Sequence, residues 1–181
     1  MWKEKGSPVP VDTEPIDNSY WVIPGRLMAG EYPGAWDENE ARGRLRWLLE
    51  QGVTGWFDLT EDGEGGLPPY GGLLAEEAAI SGVSASHTRL SIEDFSTPTP
   101  EHMERILNRL DELLDEGRAV YLHCYGGIGR TGTTVGCFLV RHGWKGEAAL
   151  KQIAEWRKDI PTGWRSSPET EEQIRFVLNW G

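Results

Sequence analysis

The chain has 181 residues, a formal net charge of −11 at pH 7, 26% charged residues and two cysteines. This length fits a single domain with a proper hydrophobic core, and the acidic balance argues against nucleic acid or an anionic membrane as the main partner. No stretch is long enough to span a membrane and the N-terminus has no apolar signal core, so we expect a cytoplasmic protein in a reducing compartment.

The first half of the chain is predicted to alternate short strands and helices after an irregular start. Residues 1–16 are proline-rich without periodicity and are predicted to be an extended N-terminal arm, which leaves residues 17–181 as the domain. A helix is capped by Asp37 and stopped by Gly52. The predicted strands are residues 20–23, 27–30 and 53–59, and an acidic, Gly/Pro-rich loop at residues 60–72 precedes a short helix that ends near residue 80.

The second half of the chain contains the strongest helix and one distinctive strand. A strand at residues 86–92 is followed by a loop, and Thr99 and Pro100 then begin a helix with a long apolar stripe that Gly117 ends. A short apolar strand follows at residues 119–123. The last predicted helices are residues 133–142, residues 146–157 and a helix that starts at Ser167-Pro168 and runs to about residue 180.

This order of elements predicts an α/β domain with a mainly parallel central sheet and helices on both faces. Parallel strands place their carboxyl ends along one edge of the sheet, where ligands bind in such folds. Asp94 follows the strand at residues 86–92, and Cys124 follows the strand at residues 119–123. We therefore expect Asp94 and Cys124 to face one pocket, and the acidic loop joins its rim if the strand at residues 53–59 is also parallel.

Residues 119–132, which read AVYLHCYGGIGRTG, combine a strand, a glycine-rich loop and the start of a helix. A glycine-rich turn lets successive backbone N–H groups point inward toward an anion, and the following helix N-terminus adds its positive dipole end. Arg130 supplies a fork that matches two phosphate oxygens. The predicted phosphate-binding residues are Tyr125, Gly126, Gly127, Ile128, Gly129 and Arg130.

Cys124 opens this loop and is the predicted nucleophile. A positive field favours the thiolate, which is the reactive form of a cysteine, and the Thr131 hydroxyl can donate a hydrogen bond to its sulfur. A purely structural role is the better interpretation for Cys137, which lies inside the next helix, than for Cys124. The G-x-G-x-x-G match at residues 127–132 lacks the second strand and acid of a dinucleotide site, and the two cysteines lack the paired histidines of a zinc site.

His123, Cys124, Arg130 and Thr131 together resemble the His-Cys-x5-Arg-Thr signature of the cysteine-dependent protein tyrosine and dual-specificity phosphatases. The loop Tyr-Gly-Gly-Ile-Gly is most similar to that of small dual-specificity and cyclin-dependent-kinase-associated phosphatases. The resemblance implies a protein tyrosine phosphatase-like fold, a cysteinyl-phosphate intermediate and no metal or other cofactor.

The resemblance also implies an aspartic acid that protonates the leaving group from a loop before the cysteine. Asp94 in Ile-Glu-Asp-Phe-Ser-Thr-Pro matches that residue best, although the Trp-Pro-Asp form of the loop is absent and Glu93 is an alternative. His123 is predicted to brace the loop. Residues 169–173 resemble a Gln-Thr-x-x-Gln segment that positions the hydrolytic water; Gln173 matches, whereas Glu169 replaces the first glutamine.

We therefore predict a phosphatase of phosphotyrosine, with phosphoserine and phosphothreonine also open, whose partner is a phosphorylated protein or peptide. The same chemistry on a phosphoinositide, an inositol phosphate or a nucleotide is an alternative, but relatives of that kind carry lysines in the loop, and residues 125–129 contain none. A phosphate-binding module without turnover is the third possibility. Four acids near the acidic loop are predicted to be solvated rather than catalytic: Asp58, Glu61, Asp62 and Glu64.

Overall fold

The computed structural model describes residues 16–181, and most of the arm predicted for residues 1–16 lies outside that range. Ile16, which we placed in the arm, is fully buried. The strands are β1 (Ser19–Ile23), β2 (Leu27–Gly30), β3 (Val53–Asp58), β4 (Ser86–Arg89) and β5 (Ala119–His123). The helices are α1 (Glu38–Glu50), α2 (Gly71–Ser81), α3 (Pro100–Asp115), α4 (Gly129–Arg141), α5 (Gly146–Arg157) and α6 (Glu171–Leu178).

The five strands form one sheet in the order β1-β2-β5-β3-β4. Strands β2, β5, β3 and β4 are parallel, and only β1 pairs antiparallel, with β2. The prediction of a mainly parallel sheet is confirmed. Because β3 is parallel to β5, the acidic loop after β3 lies at the same edge of the sheet as Cys124.

Helices cover both faces of the sheet, as predicted. The side chains of α1 and α2 pack with Met28, Trp56 and Tyr121 on one face. The side chains of α3, α4 and α5 pack with Phe57 and Leu122 on the other. The central strand β5 is buried at every position, so each face of the sheet contributes to the support of the loop that follows it.

Two helices form where their caps and apolar stripes predict them. The Asp37 carboxylate accepts a hydrogen bond from the N–H of Glu40, and the Thr99 hydroxyl accepts one from the N–H of His102, which satisfies donors left free at a helix start. Pro100 occupies the first turn of α3. The predicted stripe of α3 is buried throughout: Met103, Ile106, Leu107, Leu110, Leu113 and Leu114.

Three predicted boundaries were wrong. Helix α4 begins at Gly129 rather than at residue 133, so Arg130 and Thr131 lie in its first turn. Helix α6 begins at Glu171 instead of at Ser167-Pro168, because Thr170 and Gln173 form a capping box there. Strand β4 ends at Arg89 instead of residue 92, although the N–H groups of Leu90 and Ile92 still bond to carbonyls of the β3 strand and its extension.

Among residues 16–181, no helix combines the length and apolar character that a membrane crossing requires.

Candidate active site

The loop after β5 is held in shape from outside by the strands and helices around it. Tyr32 donates its backbone N–H to the carbonyl of Tyr125, and the Ser167 hydroxyl donates to the carbonyl of Ile128. Gly127 has φ +68° and packs directly against the backbone of Gly30, so no side chain fits there. With the carbonyls of Tyr125 and Ile128 held by outside partners, the loop is free to direct N–H groups inward, as an anion site needs.

Cys124 lies at the carboxyl end of β5 and is only 3% exposed. Its thiol is free, as is that of Cys137, which is fully buried in α4. The Thr131 hydroxyl is buried in the first turn of α4 and has no hydrogen-bond partner among residues 16–181. The expected hydrogen bond from Thr131 to the Cys124 sulfur is therefore not formed in this structure.

Arg130 is buried, and two of its three guanidinium nitrogens have hydrogen-bond partners. The Glu64 carboxylate binds both terminal nitrogens, with Oε2 2.6 Å from Nη1 and Oε1 2.7 Å from Nη2. The carbonyl of Ile92 accepts a second hydrogen bond from Nη1 at 3.1 Å. Nε is buried and has no partner in the described part of the chain. The Nε side of the planar group is thus the side open to a ligand.

Asp94 is brought to this group, as its position at the sheet edge predicted. Its Oδ1 lies 2.9 Å from Nη2 of Arg130, and its side chain is 48% exposed. The next residue, Phe95, has φ +58°, an uncommon backbone region for a bulky side chain that is often associated with functional sites. The structure brings Asp94 and Cys124 within electrostatic reach of Arg130. Glu93 is exposed and makes no ion pair with Arg130.

Glu64 was expected to be solvated, and that expectation is wrong. Its side chain is 14% exposed, and both carboxylate oxygens bind Arg130. Burial by itself raises the pKa of Glu64, but the Arg130 hydrogen bonds outweigh it and hold that pKa below its usual range. Glu64 is therefore an anion that fixes Arg130. Its neighbours Gly63, Gly65 and Gly66 all have positive φ. These flanking glycines are the sequence signal that could have distinguished Glu64 from the other acids of the loop.

Replacing Glu64 by glutamine tests whether this contact prepares Arg130. In Glu64→Gln the amide can accept from only one guanidinium nitrogen, so Arg130 loses a charge-assisted bond and some of its orientation. We expect kcat/KM on an aryl phosphate to fall by about 10-fold, the equivalent of one such bond. The matched control is Glu61→Gln, an exposed acid on the same loop, which should leave the rate unchanged. Equal rates for the two variants would contradict this role for Glu64.

His123 is buried behind the loop and makes two hydrogen bonds that fix its tautomer. Nδ1 lies 3.1 Å from the carbonyl of Cys124, so it must carry the proton and donate. Nε2 then accepts from the Tyr70 hydroxyl at 2.7 Å. The ring ties the first carbonyl of the loop to Tyr70, a residue that the sequence did not single out.

Asp58 lies beneath His123 and is fully buried, so the expectation that it is solvated is also wrong. Its carboxylate accepts hydrogen bonds from Thr60 and Arg89 and lies 3.2 Å from Nε2 of His87. Burial favours a raised pKa for Asp58, but the His87 and Thr60 hydrogen bonds reverse this and keep that pKa well below its usual range. Asp58 is a structural anion that joins β3 to β4 under the loop.

The buried His123 predicts an acid-sensitive fold. Burial lowers the pKa of His123 to about 4, against the opposing charge of Asp58. The unfolded chain takes up this proton near pH 6.5 and the folded chain only near pH 4, so stability is lost as the pH falls through this window. We expect the free energy of unfolding to fall by about 3 kcal/mol between pH 6.5 and 4 because of this residue. Urea unfolding of wild type and His123→Asn measures it; identical pH slopes would contradict the prediction.

Gln173 is fully buried at the start of α6, against Gly129. A Cβ atom on Gly129 would lie 3.0 Å from Oε1 and 3.1 Å from Nε2 of Gln173, so the two residues are in close contact. Glu169 is 22% exposed and forms an ion pair with Arg165. The segment at residues 169–173 therefore lies beside the start of α4, directly after the loop that Cys124 opens.

Comparison with known proteins agrees with this geometry. The chain matches human dual specificity protein phosphatase CDC14A at 26% identity over 129 residues, which are 67% of this chain and 19% of CDC14A. It matches the rat phosphatidylglycerophosphatase and protein-tyrosine phosphatase 1 at 28% identity over 117 residues, 64% of this chain and 58% of the rat protein. The match thus spans less than two thirds of either relative.

One solved structure covers nearly the whole chain. The crystal structure of Tk-PTP in its active form superposes with a TM-score of 0.65 at 27% identity, over 88% of this chain and 93% of Tk-PTP. The sequence model of the family Tc-R-P, described as polymorphic toxin system, DSP-PTPase phosphatase, matches residues 33–144, which include β3, β5, Cys124 and Arg130. The chain therefore belongs to this DSP-PTPase phosphatase family.

Proposed function

We propose that the protein hydrolyses phosphotyrosine, and also phosphoserine or phosphothreonine, in phosphorylated proteins through a cysteinyl-phosphate intermediate. The observation that carries this proposal is the unpartnered Nε of the fixed Arg130, which lies in the first turn of α4, directly after the loop that Cys124 opens. A buried guanidinium with one open side, at a helix N-terminus, is suited to hold a phosphate dianion against the sulfur.

The reaction has two steps with this set of residues. The Cys124 thiolate attacks phosphorus, the bond from phosphorus to the ester oxygen breaks, and Asp94 gives its proton to that oxygen. Water then attacks the phosphocysteine, the Asp94 carboxylate takes a proton from the water, and the sulfur leaves as a thiolate with release of inorganic phosphate. Arg130 and the N–H groups of residues 125–129 stabilise the negative charge on the three equatorial oxygens in both steps.

Two exposed rings beside the pocket favour an aromatic leaving group. Tyr125, which follows Cys124, is 54% exposed, and Phe95, which follows Asp94, is 60% exposed. Both can pack against the ring of a phosphotyrosine as it enters. The acids of the neighbouring loop, Glu61 and Asp62, are exposed and repel a substrate with several phosphates. These features favour a phosphopeptide over a phosphoinositide.

The cysteine chemistry also favours a reducing compartment such as the cytoplasm. Attack on phosphorus needs a free thiolate, and both cysteines of the chain are free thiols in the structure. In an oxidising compartment an essential thiol of this kind would be exposed to disulfide formation.

A substrate panel tests the proposed function. Purified protein in buffer with EDTA is assayed by phosphate release from phosphotyrosine, phosphoserine and phosphothreonine peptides and from phosphoinositides in vesicles. We expect the highest kcat/KM on a phosphotyrosine peptide. A phosphoinositide hydrolysed with a higher kcat/KM than every peptide would replace the protein phosphatase assignment by a lipid phosphatase one, and no turnover of any substrate would favour a phosphate-binding module.

A further inference from the structure

The side-chain amide of Gln173 connects the start of α6 to the loop that carries Asp94. Its Oε1 accepts from the N–H groups of Glu169 at 3.1 Å and Thr170 at 3.2 Å. Its Nε2 donates to the carbonyl of Ser96 at 3.1 Å. The two acceptor positions of Oε1 are both used by the backbone of α6, so the contact with the Asp94 loop depends on Nε2 alone.

Ser96 and Asp94 belong to one tight turn. The N–H of Ser96 donates to the carbonyl of Glu93 at 3.1 Å, and the Asp94 carboxylate accepts from the N–H of Phe95. A bond that fixes the carbonyl of Ser96 therefore also limits where Asp94 can lie. A second bond, from the Thr97 hydroxyl to Glu172, joins the same loop to α6 but is exposed to solvent, whereas Gln173 is fully buried.

On its other side the loop is held by Arg130, which binds the carbonyl of Ile92 and the Asp94 carboxylate. A phosphate that binds Arg130 through Nε in a bidentate contact needs Nη2 as its second donor. Nη2 is the nitrogen that Asp94 contacts. Substrate therefore displaces Asp94 from Arg130 at the moment when Asp94 has to stay close to the ester oxygen. After that displacement, the loop is still held by the bond from Arg130 to the carbonyl of Ile92, before Asp94, and by the bond from Gln173 to the carbonyl of Ser96, after Asp94. The second of these bonds retains the turn that carries Asp94.

We infer that Gln173 is a positioning residue for general acid catalysis, which holds the Asp94 turn over the leaving group while substrate occupies Arg130. The inference rests on the proposed function and differs from the water-positioning role that the resemblance of residues 169–173 implied. Loss of acid positioning slows departure of the leaving group and, because Asp94 also acts as the base, hydrolysis of the phosphocysteine, whereas loss of water positioning slows that hydrolysis alone. The two roles are therefore separated by the dependence of the first step on the leaving group.

The test compares two substrates in Gln173→Met, which keeps the length of the side chain but removes its hydrogen bonds. Phenyl phosphate has a leaving group with a pKa of about 10 that needs a proton, whereas 2,4-dinitrophenyl phosphate has a phenol acidic enough to leave unaided. The ratio of kcat/KM for the second substrate to that for the first cancels any change in phosphate binding. We expect this ratio to rise by about 10-fold or more in Gln173→Met.

Two further variants separate positioning from helix stability. Gln173→Glu keeps an oxygen acceptor for the cap of α6 but replaces the donor to Ser96 by a second acceptor and adds a negative charge. The ratio cancels the effect of this charge on phosphate binding, so it should rise as it does in Gln173→Met. Thr170→Ala removes the hydroxyl that caps α6 and leaves Nε2 of Gln173 in place, so its ratio should equal that of wild type.

Two outcomes would overturn the inference. They are an unchanged ratio in both Gln173 variants and the same rise in Thr170→Ala. A burst of dinitrophenol together with an unchanged ratio would assign Gln173 to hydrolysis of the phosphocysteine alone. The same assay compares turnover by wild type with turnover by Cys124→Ser. Turnover that is present in wild type and absent in this variant supports the proposed function independently of the ratio.

Discussion

Replacing Cys124 by serine is expected to abolish turnover and to leave phosphate binding in place. The serine hydroxyl stays protonated in the absence of a neighbouring base, so the covalent step is lost, and we expect kcat to fall by on the order of 10⁴-fold or more. Arg130, Glu64 and the carbonyl contacts that shape the loop are untouched by the change. Phosphate release from a phosphotyrosine peptide measures the first effect, and calorimetric titration with inorganic phosphate measures the second.

Cys137→Ser is the matched control for this experiment. Cys137 is the other free cysteine, fully buried in α4, where burial raises the pKa of its thiol far above the usual range. A thiol of this kind is inert, so its replacement should change stability and not kcat. If Cys124→Ser keeps a sizeable fraction of the wild-type rate while Cys137→Ser is fully active, the covalent mechanism is wrong and direct attack of water has to replace it.

The sequence was sufficient for the parts of this site that are continuous in the chain. A buried strand, a glycine-rich loop and a helix follow one another from Ala119 onward, and this local order alone placed Cys124 and Arg130. The alternation of strands and helices then placed the loop of Asp94 at the same edge, because parallel strands end together. The choice of Asp94 over Glu93 came from the family resemblance, and the contact of Asp94 with Arg130 was not itself predicted.

Contacts between residues far apart in the chain could not be predicted in this way. Glu64 lies in a Gly/Pro-rich loop, where acids are usually solvated, and Asp58 ends the strand just before it. Glu64 is covered because the loop packs against Arg130, and Asp58 is covered because β3 pairs with β4, where Arg89 binds it. Tyr70 meets His123 across two elements that share no local pattern. The pairing of polar side chains that are far apart in the chain depends on the tertiary fold. The hydrophobic periodicity of the sequence carries no information about such pairs.

The start of α4 was misplaced for a related reason. Gly129 and Gly132 disfavour a helix by their propensity, so residues 129–132 were read as loop. In the structure these positions must be small, because Gln173 lies against Gly129 and Ser167 against Gly132. The packing of the phosphate-binding loop against residues 167–173 therefore outweighs local propensity, and it places Arg130 in a helical turn.

Replacing Asp94 by alanine is expected to give a loss that depends on the leaving group. General acid catalysis matters in proportion to how much the departing oxygen needs a proton, and the phenol of tyrosine, with a pKa of about 10, needs one. We expect Asp94→Ala to lower kcat on a phosphotyrosine peptide by roughly 10²–10⁴-fold. A substrate whose phenol is much more acidic should hardly be affected. The alkaline limb of the kcat–pH profile, which reports loss of the acid's proton, should disappear.

The contact between Asp94 and Arg130 adds a second expectation, which distinguishes Asp94 from the neighbouring Glu93. Because the Asp94 carboxylate lies 2.9 Å from the nitrogen that a bound phosphate would share, its removal frees Arg130, and KM should not rise. Glu93→Ala should change little, since Glu93 makes no ion pair with Arg130 among the described residues. A leaving-group-dependent loss in Glu93→Ala and not in Asp94→Ala would identify the other carboxyl as the acid. If neither variant shows it, the donor lies elsewhere, and the acidic loop after β3 is the next place to test.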